Sequence, residues 1–260
     1  MIKTDKYEIY NNDCLEQMQS IESNSIDTII CDLPFGTTCQ KWDNLIPLDL
    51  LWEYYNRIIK DRGIIILFGS EPFTSKLILS NLKMFRYNLI YQKTQSTGFL
   101  NCKKQPLNDH ETISIFYKKH GTYNPQFTIE TDKRKFHNVK KERANSGTEL
   151  YPTFKCNVQL RIDDGKRYPK RIIKFCNTNK TNSKKLHVNE KPQELLEYLI
   201  KQYTNENDII LDNTMGGGSC GEASINLNRY FIGIEKDEIY YHRCVGRLEK
   251  KYLEKYNLSR

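Results

Sequence analysis

Short apolar runs alternate with amphipathic stretches over the first 120 residues of the chain. The runs Ile26–Cys31 and Gly63–Gly69 predict buried strands, and the second is of the continuous apolar type found in parallel sheets. Apolar positions three and four residues apart predict a helix over Leu48–Ile59. The same reasoning predicts a helix over Ser75–Leu82 and strands over Asn88–Gln92 and Thr112–Tyr117. This alternation favours an α/β fold built on a doubly wound sheet.

The α/β pattern returns in the last quarter of the chain. Pro192–Tyr203 predicts an amphipathic helix with proline in its first turn, and Ile239–Tyr256 predicts a basic one. Between them lie two short apolar runs, Asp208–Asp212 and Tyr230–Glu235, joined by a glycine-rich turn and a helix through Asn226. The two ends of the chain therefore predict parts of one sheet.

The segment between about Thr94 and Leu186 has a different character, since helical periodicity disappears and aromatic residues alternate with basic ones. From Lys93 to His187 there are 21 Lys and Arg against 8 Asp and Glu, a net charge of +13, whereas the remainder of the chain carries −5. A confined basic segment indicates a polyanionic partner, most simply nucleic acid, and a solvated lysine-rich surface is the alternative. We predict an inserted subdomain of irregular and β structure.

The length and composition of the chain argue against a membrane-spanning, a secreted and a metal-binding protein. The 260 residues suffice for one large α/β domain with an insertion, or for two small domains. No apolar run has the length to span a membrane and no signal peptide is apparent, so we expect a soluble, cytoplasmic protein. The eight cysteines form no C-x-x-C pair and the histidines complete no zinc spacing. We therefore expect reduced thiols and no metal.

The first candidate site follows the strand Ile26–Cys31, which ends in Asp32-Leu33-Pro34-Phe35-Gly36. The proline restricts the backbone and the glycine permits a sharp turn. A carboxylate beside an aromatic face suits a planar ligand with an N–H donor, because the ring stacks while the carboxylate accepts. The alternative is a carboxylate that caps a turn and an aromatic side chain of the core.

The second candidate site is the glycine-rich turn that follows Asp212. Glycines such as Gly216 and Gly218 let backbone N–H groups approach a ligand, and Glu235, at the end of the next strand, can accept hydrogen bonds from two ribose hydroxyls. An anionic Asp212 would repel a pyrophosphate but attract the sulfonium and ammonium groups of S-adenosylmethionine. The negative charge of Asp212 therefore favours the methyl donor over NAD as the ligand.

Taken together, these motifs resemble the DNA amino-methyltransferases that modify exocyclic nitrogens, in the permuted β-class order. Asp32–Phe35 resembles the motif D/N/S-P-P-Y/F/W, with Leu33 in place of the first proline. The segments similar to other family motifs are Leu211–Ser219 (cofactor loop), Phe231–Glu235 (ribose-binding strand), His187–Pro192 (H-P-x-x-K-P) and Asn12–Glu16 (G-D-C-L-E). The resemblance covers most of residues 6–125 and 187–250.

The resemblance implies a mostly parallel, seven-stranded, Rossmann-like methyltransferase sheet with an inserted basic target-recognition subdomain. It divides the chain into a catalytic half (1–93), a recognition insertion (94–186, its first ~25 residues still in the sheet) and a cofactor-binding half (187–260). The implied reaction moves a methyl group from S-adenosylmethionine to N6 of a flipped-out adenine in double-stranded DNA.

The resemblance also assigns roles to individual residues. The catalytic residues would be Asp32, Pro34 and Phe35. The cofactor-binding residues would be Asp13, Cys14, Lys191, Asp212, Thr214, Gly216, Gly218 and Glu235. We expect basic residues of the middle segment to contact DNA, namely Lys103, Lys104, Lys133, Arg134, Lys135, Lys140, Lys141 and Arg143.

Several alternatives stay open at this point. N4-cytosine methylation is the closest, although those enzymes more often carry Ser where this chain has Asp32, and a catalytically degenerate nucleic-acid-binding protein is the second. Asp13 could instead cap the helix that follows it, and Lys191 could be a solvated side chain at a helix start. A homodimer and a cognate restriction endonuclease are open as partners.

Overall fold

The computed structural model describes residues 1–36, 44–132, 164–177 and 190–257. The strands are β1 (Ile2–Lys3), β2 (Tyr7–Asn11), β3 (Ile26–Cys31), β4 (Ile59–Gly69), β5 (Phe85–Thr97), β6 (Asn108–Phe116), β7 (Thr128–Ile129), β8 (Lys166–Arg167), β9 (Ile172–Phe175), β10 (Ile209–Asp212) and β11 (Tyr230–Glu235). The helices are α1 (Cys14–Gln19), α2 (Leu48–Ile58), α3 (Phe73–Ser80), α4 (Gln193–Tyr203), α5 (Ser219–Asn226) and α6 (Glu238–Tyr256).

Nine of these strands form one sheet in the order β1-β2-β11-β10-β3-β4-β6-β5-β9. Strands β2, β11, β10, β3 and β4 are parallel neighbours, whereas β6 is antiparallel to both β4 and β5. The prediction of a doubly wound, mostly parallel sheet is confirmed. The count of seven holds only for the central strands, because the short strands β1 and β9 extend the two edges.

Two apolar cores form because β4 is buried on both faces. Ile64, Ile66 and Phe68 pack into one core with side chains of α4, α5 and α6. The intervening Ile65 and Leu67 pack into the other core with α1, α2 and α3. Alternate side chains of a strand point to opposite faces, so a continuous apolar run supplies both cores. No helix in the described parts of the chain is long and apolar enough to cross a membrane.

The connections of β3 and β10 create the crevice that holds the candidate site. These two strands are adjacent and parallel, but β3 leads to α2 on one face of the sheet and β10 leads to α5 on the other. The chain therefore diverges beyond their carboxyl ends, which is where ligands bind in open α/β sheets. Asp32 directly follows β3, and Asp212 is the last residue of β10.

Contacts divide the chain into two compact units. One contains Met1–Asn124 and Lys170–Arg260, and the other is Pro125–Pro169. In the described part of the smaller unit, β7 pairs with β8 and the ring of Phe127 lies 4.8 Å from that of Tyr168. The larger unit includes β9, whose Ile173 is buried in the core although it lies inside the predicted insertion. The division at residues 93 and 187 stays a prediction.

Candidate active site

A cavity of about 880 Å³ opens at the carboxyl ends of β3, β10 and β11. The structure gathers ten of the eleven predicted catalytic and cofactor residues around it. They are Asp13, Cys14, Asp32, Pro34, Phe35, Lys191, Asp212, Thr214, Gly216 and Glu235. The eleventh, Gly218, is the N-cap of α5.

The glycine loop between β10 and α5 contains two left-handed turns of the backbone and is contacted by α6. Gly216 and Gly218 have φ values of +51° and +79°, which L side chains rarely adopt. Arg247 of α6 donates to the carbonyl oxygen of Gly217 at 2.8 Å and forms an ion pair with Glu222 of α5, also at 2.8 Å. Sequence reasoning missed Arg247, because it lies 30 residues beyond the loop it supports.

We expect Gly218→Ala to lower the free energy of unfolding by about 2–4 kcal/mol, since it combines a left-handed φ with overpacking. A Cβ at residue 218 would lie 2.4 Å from the Sγ of buried Cys244. Gly246→Ala, on α6, is the matched control, because its Cβ would meet no atom of the described residues within 4 Å. We expect that change to stabilise the helix by about 0.5–1 kcal/mol. Denaturant unfolding of both variants measures the difference, and equal stabilities would contradict the packing argument.

Glu235 ends β11 with both carboxylate oxygens already placed by the backbone. Its Oε2 accepts from the N–H of Gly216 and its Oε1 from the N–H of Asp237, each at 2.8 Å. Burial raises the pKa of this carboxyl above its ordinary value. Each carboxylate oxygen has two acceptor sites, so both can still accept a hydroxyl from a ligand in the cavity.

Asp13 performs the capping role that the sequence left open, and it also lines the cavity. Its Oδ1 accepts from the N–H of Leu15 at 2.9 Å, and its Oδ2 pairs with Lys236 at 3.0 Å. The pKa of Asp13 is lowered: burial opposes this, but the hydrogen bonds from Lys236 and Leu15 outweigh it. Burial raises the pKa of neighbouring Cys14 to about 11, so its thiol is protonated at neutral pH.

The end of β10 is joined to the end of β3 by polar contacts in the interior. Thr214 donates its hydroxyl to the backbone oxygen of Asp32 at 3.2 Å. The side-chain oxygen of Asn213 accepts from Tyr55 at 2.6 Å and from the thiol of Cys31 at 2.8 Å. These contacts fix the spacing between the two strand ends. The predicted cofactor loop includes Asn213, but the sequence indicates no role for its side chain or for that of Tyr55.

Asp212 is a buried carboxyl group at the loop entrance. Its Oδ1 accepts from the N–H of Thr214 at 3.1 Å. Burial, together with the nearby negative charges of Asp32 and Glu235, raises its pKa to about 7. A cationic ligand in the cavity would favour the ionised form of this group.

Asp32 pairs with Lys191, the residue that the resemblance assigns to the cofactor site. Lys191 Nζ lies 2.6 Å from Asp32 Oδ2 and 3.2 Å from Glu111 Oε2, and Lys93 Nζ lies 2.8 Å from Glu111 Oε1. The Oδ1 atom of Asp32 is buried and accepts no hydrogen bond from the described residues. Sequence reasoning selected neither Glu111 nor Lys93, whose strands carry no motif.

The ring of Phe35 is positioned by a second aromatic ring. It stacks on Phe73 at the start of α3, with the ring centroids 5.2 Å apart and the planes at 27°. Phe73 is buried, so it forms a fixed support. Gly36 allows the sharp exit of the chain with φ of +65°. The ring of Phe35 is half-buried, so it lines the cavity and also packs against the core.

The predicted DNA-binding residues are only partly within the described chain. Lys103 and Lys104 are exposed on the β5–β6 connection, just after a short 3₁₀ turn over Phe99–Asn101. The other six lie outside the described residues: Lys133, Arg134, Lys135, Lys140, Lys141 and Arg143. Their contact with DNA stays a prediction.

Comparisons with known proteins agree with this geometry. Residues 26–245 match the DNA methylase family. The chain belongs to that family. It is a DNA amino-methyltransferase of the N4-cytosine/N6-adenine type. The type II methyltransferase M1.MboII of Moraxella bovis is similar to this DNA methylase, with 22% identity over 91% of the chain and 94% of the relative.

Solved structures share the fold. The M1.HpyAVI–SAM complex superposes with a TM-score of 0.61 at 21% identity, covering 93% of this methylase and 98% of that chain. The cytosine-N4-specific PvuII DNA methyltransferase gives a TM-score of 0.67 at 14% identity, covering 99% and 95%. At these sequence identities the structural similarity establishes the methyltransferase fold alone. The choice of target base depends on the residues of the site.

Proposed function

We propose that this methylase transfers a methyl group from S-adenosylmethionine to N6 of adenine in double-stranded DNA. The observation that carries the proposal is the shared cavity: the acceptor Asp32 and the ring of Phe35 line the same space as the glycine loop and Glu235. The proposed base-modifying residues and the proposed nucleoside-binding residues therefore share one cavity.

The cavity residues fit S-adenosylmethionine. Glu235 offers acceptors for the ribose hydroxyls, and Asp13 and Cys14 line the side of the cavity expected to receive the adenine ring. The carboxyl groups of Asp212 and Asp32 provide negative charge for a ligand that carries a sulfonium and an ammonium. The bound donor supplies an electrophilic methyl group. In the described residues no group of three or more His, Cys, Asp or Glu could hold a metal ion.

The protein's contribution to the chemistry is positioning and hydrogen bonding. The exocyclic amine of a base is a weak nucleophile because its lone pair is delocalised into the ring. We propose that Asp32 accepts one amine N–H and a backbone carbonyl near Pro34 accepts the other, which concentrates electron density on nitrogen. Phe35 stacks on the extruded base and offsets part of the few kcal/mol that flipping costs.

Adenine is preferred over cytosine in this proposal because of Asp32. Ser is more usual at that position in N4-cytosine enzymes, whereas Asp is typical of adenine enzymes. N4-cytosine methylation is the alternative, and the fold is compatible with it, since the cytosine-N4-specific PvuII enzyme has the same architecture.

Incubation of the purified protein with labelled S-adenosylmethionine and mixed-sequence duplex DNA tests the proposal. Digestion of the DNA to nucleosides should yield labelled N6-methyladenine. Labelled N4-methylcytosine would replace the adenine proposal with its alternative. Tight DNA binding without any transfer would identify a degenerate binding protein. Sequencing of the methylated DNA then gives the recognition site.

Lys103 and Lys104 allow a test of the DNA-binding surface. We expect Lys103→Ala/Lys104→Ala to weaken duplex binding and to reduce the slope of log K against log salt by about 2, or about 1 for each phosphate contact. Lys250→Ala/Lys251→Ala is the control, because these lysines lie ~18 Å along α6 from its start near the cavity. Fluorescence anisotropy at several salt concentrations measures both slopes. Equal slopes in the two variants would remove Lys103 and Lys104 from the interface.

The proposal also extends to the macromolecular partners of the protein. M1.MboII is named a type II methyltransferase, and we extend to this chain the proposal of a companion restriction endonuclease. A homodimer and a cytoplasmic location stay predictions.

A further inference from the structure

Four charged side chains that line the cavity form a chain of alternating charge. Lys93, Glu111, Lys191 and Asp32 follow one another with contacts of 2.8, 3.2 and 2.6 Å. The side chains of Lys93 and Lys191 are only 10% exposed and that of Glu111 is 16% exposed. Buried charges are costly unless they are paired, so the alternation stabilises these groups and favours the ionised form of Asp32, whose side chain is 28% exposed.

The two oxygens of Asp32 have different surroundings. Oδ2 is engaged by Lys191 at 2.6 Å, whereas Oδ1 is buried and lacks a hydrogen-bond donor among the described residues. A buried acceptor without a donor costs about 1–3 kcal/mol. The Asp32 side chain as a whole is 28% exposed and lines the cavity, so a ligand bound there is the group that can supply the donor. The amine of a target base is a donor of this kind.

We propose that Lys191 is a positioning residue for methyl transfer, which holds Asp32 by Oδ2 so that Oδ1 is the atom that accepts the amine N–H. This inference rests on the proposed function. Glu111 and Lys93 act one step further away: Glu111 fixes Lys191, and Lys93 balances the charge of Glu111. The ammonium of Lys191 also lies 5.1 Å from the ring centre of Phe68, so it is held from a second side.

The electrostatic balance at Asp32 has a definite sign. Burial raises the pKa of Asp32, and Lys191 is the main group opposing that rise. The other charges that face this carboxyl are Glu111 on β6, which raises its pKa, and Lys93 on β5, which lowers it; Asp212 on β10 adds further negative charge. The carboxylates in turn raise the pKa of Lys191, which therefore stays charged. Removing Lys191 would shift Asp32 toward its protonated form, in which it accepts hydrogen bonds poorly.

This role differs from the cofactor contact that the sequence suggested for Lys191. A cofactor contact would make Lys191 a determinant of S-adenosylmethionine affinity. A positioning role makes it a determinant of the transfer rate and of the pH dependence. The two can be separated by measuring the affinity and the rate on the same variant.

The test compares Lys191→Gln, Lys191→Arg and Lys60→Gln with the wild type. Lys60 is the matched control, because it pairs with Asp27 at 2.7 Å near the opposite ends of β3 and β4. Three quantities are measured: the single-turnover methylation rate against pH, the dissociation constant of S-adenosylmethionine by calorimetry, and the Asp32 titration by carboxyl ¹³C NMR without cofactor or DNA. The Asp32 signal is assigned by its loss in Asp32→Asn.

We expect Lys191→Gln to reduce the rate at neutral pH by about 10- to 100-fold. Its acidic limb and its Asp32 titration should both move about 1–3 units to higher pH, because a neighbouring cation has been removed. Lys191→Arg keeps the charge, so the acidic limb of its pH–rate profile should lie within about one pH unit of that of the wild type. Lys60→Gln should match the wild type, and the cofactor affinity should change by no more than about twofold in every variant.

Other outcomes overturn the inference in distinguishable ways. Suppose that the wild type is active and that Lys191→Gln loses cofactor affinity but keeps the acidic limb of the pH–rate profile and the Asp32 titration. This result would show that Lys191 is a cofactor contact. Equal limbs in Lys191→Gln and Lys191→Arg would remove the charge argument, even if both variants are slow or unstable. A wild type that transfers no methyl group to DNA overturns the proposed function and this inference together.

Discussion

Asp32→Ala is expected to reduce methyl transfer on the order of 10³-fold while cofactor binding persists, because the variant loses the acceptor for the target amine. We expect the rate to fall rather than the cofactor affinity because Asp32 follows β3, its Oδ2 is held by Lys191, and its Oδ1 has no donor among the described residues. Lys191 keeps its contact with Glu111 at 3.2 Å in the variant, so no cation is left alone. Single-turnover assays and calorimetry with S-adenosylmethionine measure the two quantities.

The control for this variant is Asp61→Ala, which removes an exposed carboxylate paired with Lys119. It should retain the wild-type rate and affinity. If Asp32→Ala instead loses cofactor affinity as strongly as activity, Asp32 belongs to the cofactor site and the assignment of the target base to this carboxylate is wrong.

Glu235→Ala is expected to weaken S-adenosylmethionine binding by about 100-fold. The variant loses a carboxylate that can accept two ribose hydroxyls, and hydrogen bonds to charged groups contribute about 1.5–3 kcal/mol each. It also leaves the N–H groups of Gly216 and Asp237 without their acceptor, so the loop itself becomes less ordered. The transfer rate at saturating cofactor should fall much less than the affinity.

Glu238→Ala is the matched control for Glu235, because it removes the same charge three residues further along, from a side chain that is 78% exposed. We expect its cofactor affinity to equal that of the wild type. Calorimetry on both variants decides the matter: an unchanged dissociation constant in Glu235→Ala would exclude Glu235 from the ribose site.

The positions of the main site residues could be predicted because each lies at the end of a buried strand. Asp32 follows β3, Asp212 ends β10 and Glu235 ends β11, and the carboxyl ends of parallel strands meet at one edge of the sheet. The glycine loop was predicted for a similar reason, since Gly216 and Gly218 mark backbone that other residues rarely adopt. These are local signals, readable within ten residues of the site.

The supporting residues were missed because their role depends on distant contacts. Phe73 lies at the start of an ordinary apolar helix, and nothing in its neighbourhood shows that its ring supports Phe35. Lys93 and Glu111 lie just outside the predicted strands Asn88–Gln92 and Thr112–Tyr117, and no motif marks them. Strand β2 (Tyr7–Asn11) was not predicted either, although Tyr7 and Ile9 are buried, because five residues give a weak periodic signal.

By itself, the sequence determined the α/β class, the two strand-end motifs and the confinement of positive charge to the middle segment, because these features repeat over short distances along the chain. Only the tertiary structure decided the order of the nine strands, the support of the glycine loop by α6 and the partner of Asp32. Lys191 lies 159 residues from Asp32 in the sequence. Their contact exists because the fold brings the carboxyl end of β3 and the start of α4 to one crevice, where a cation stabilises a carboxylate that is only 28% exposed.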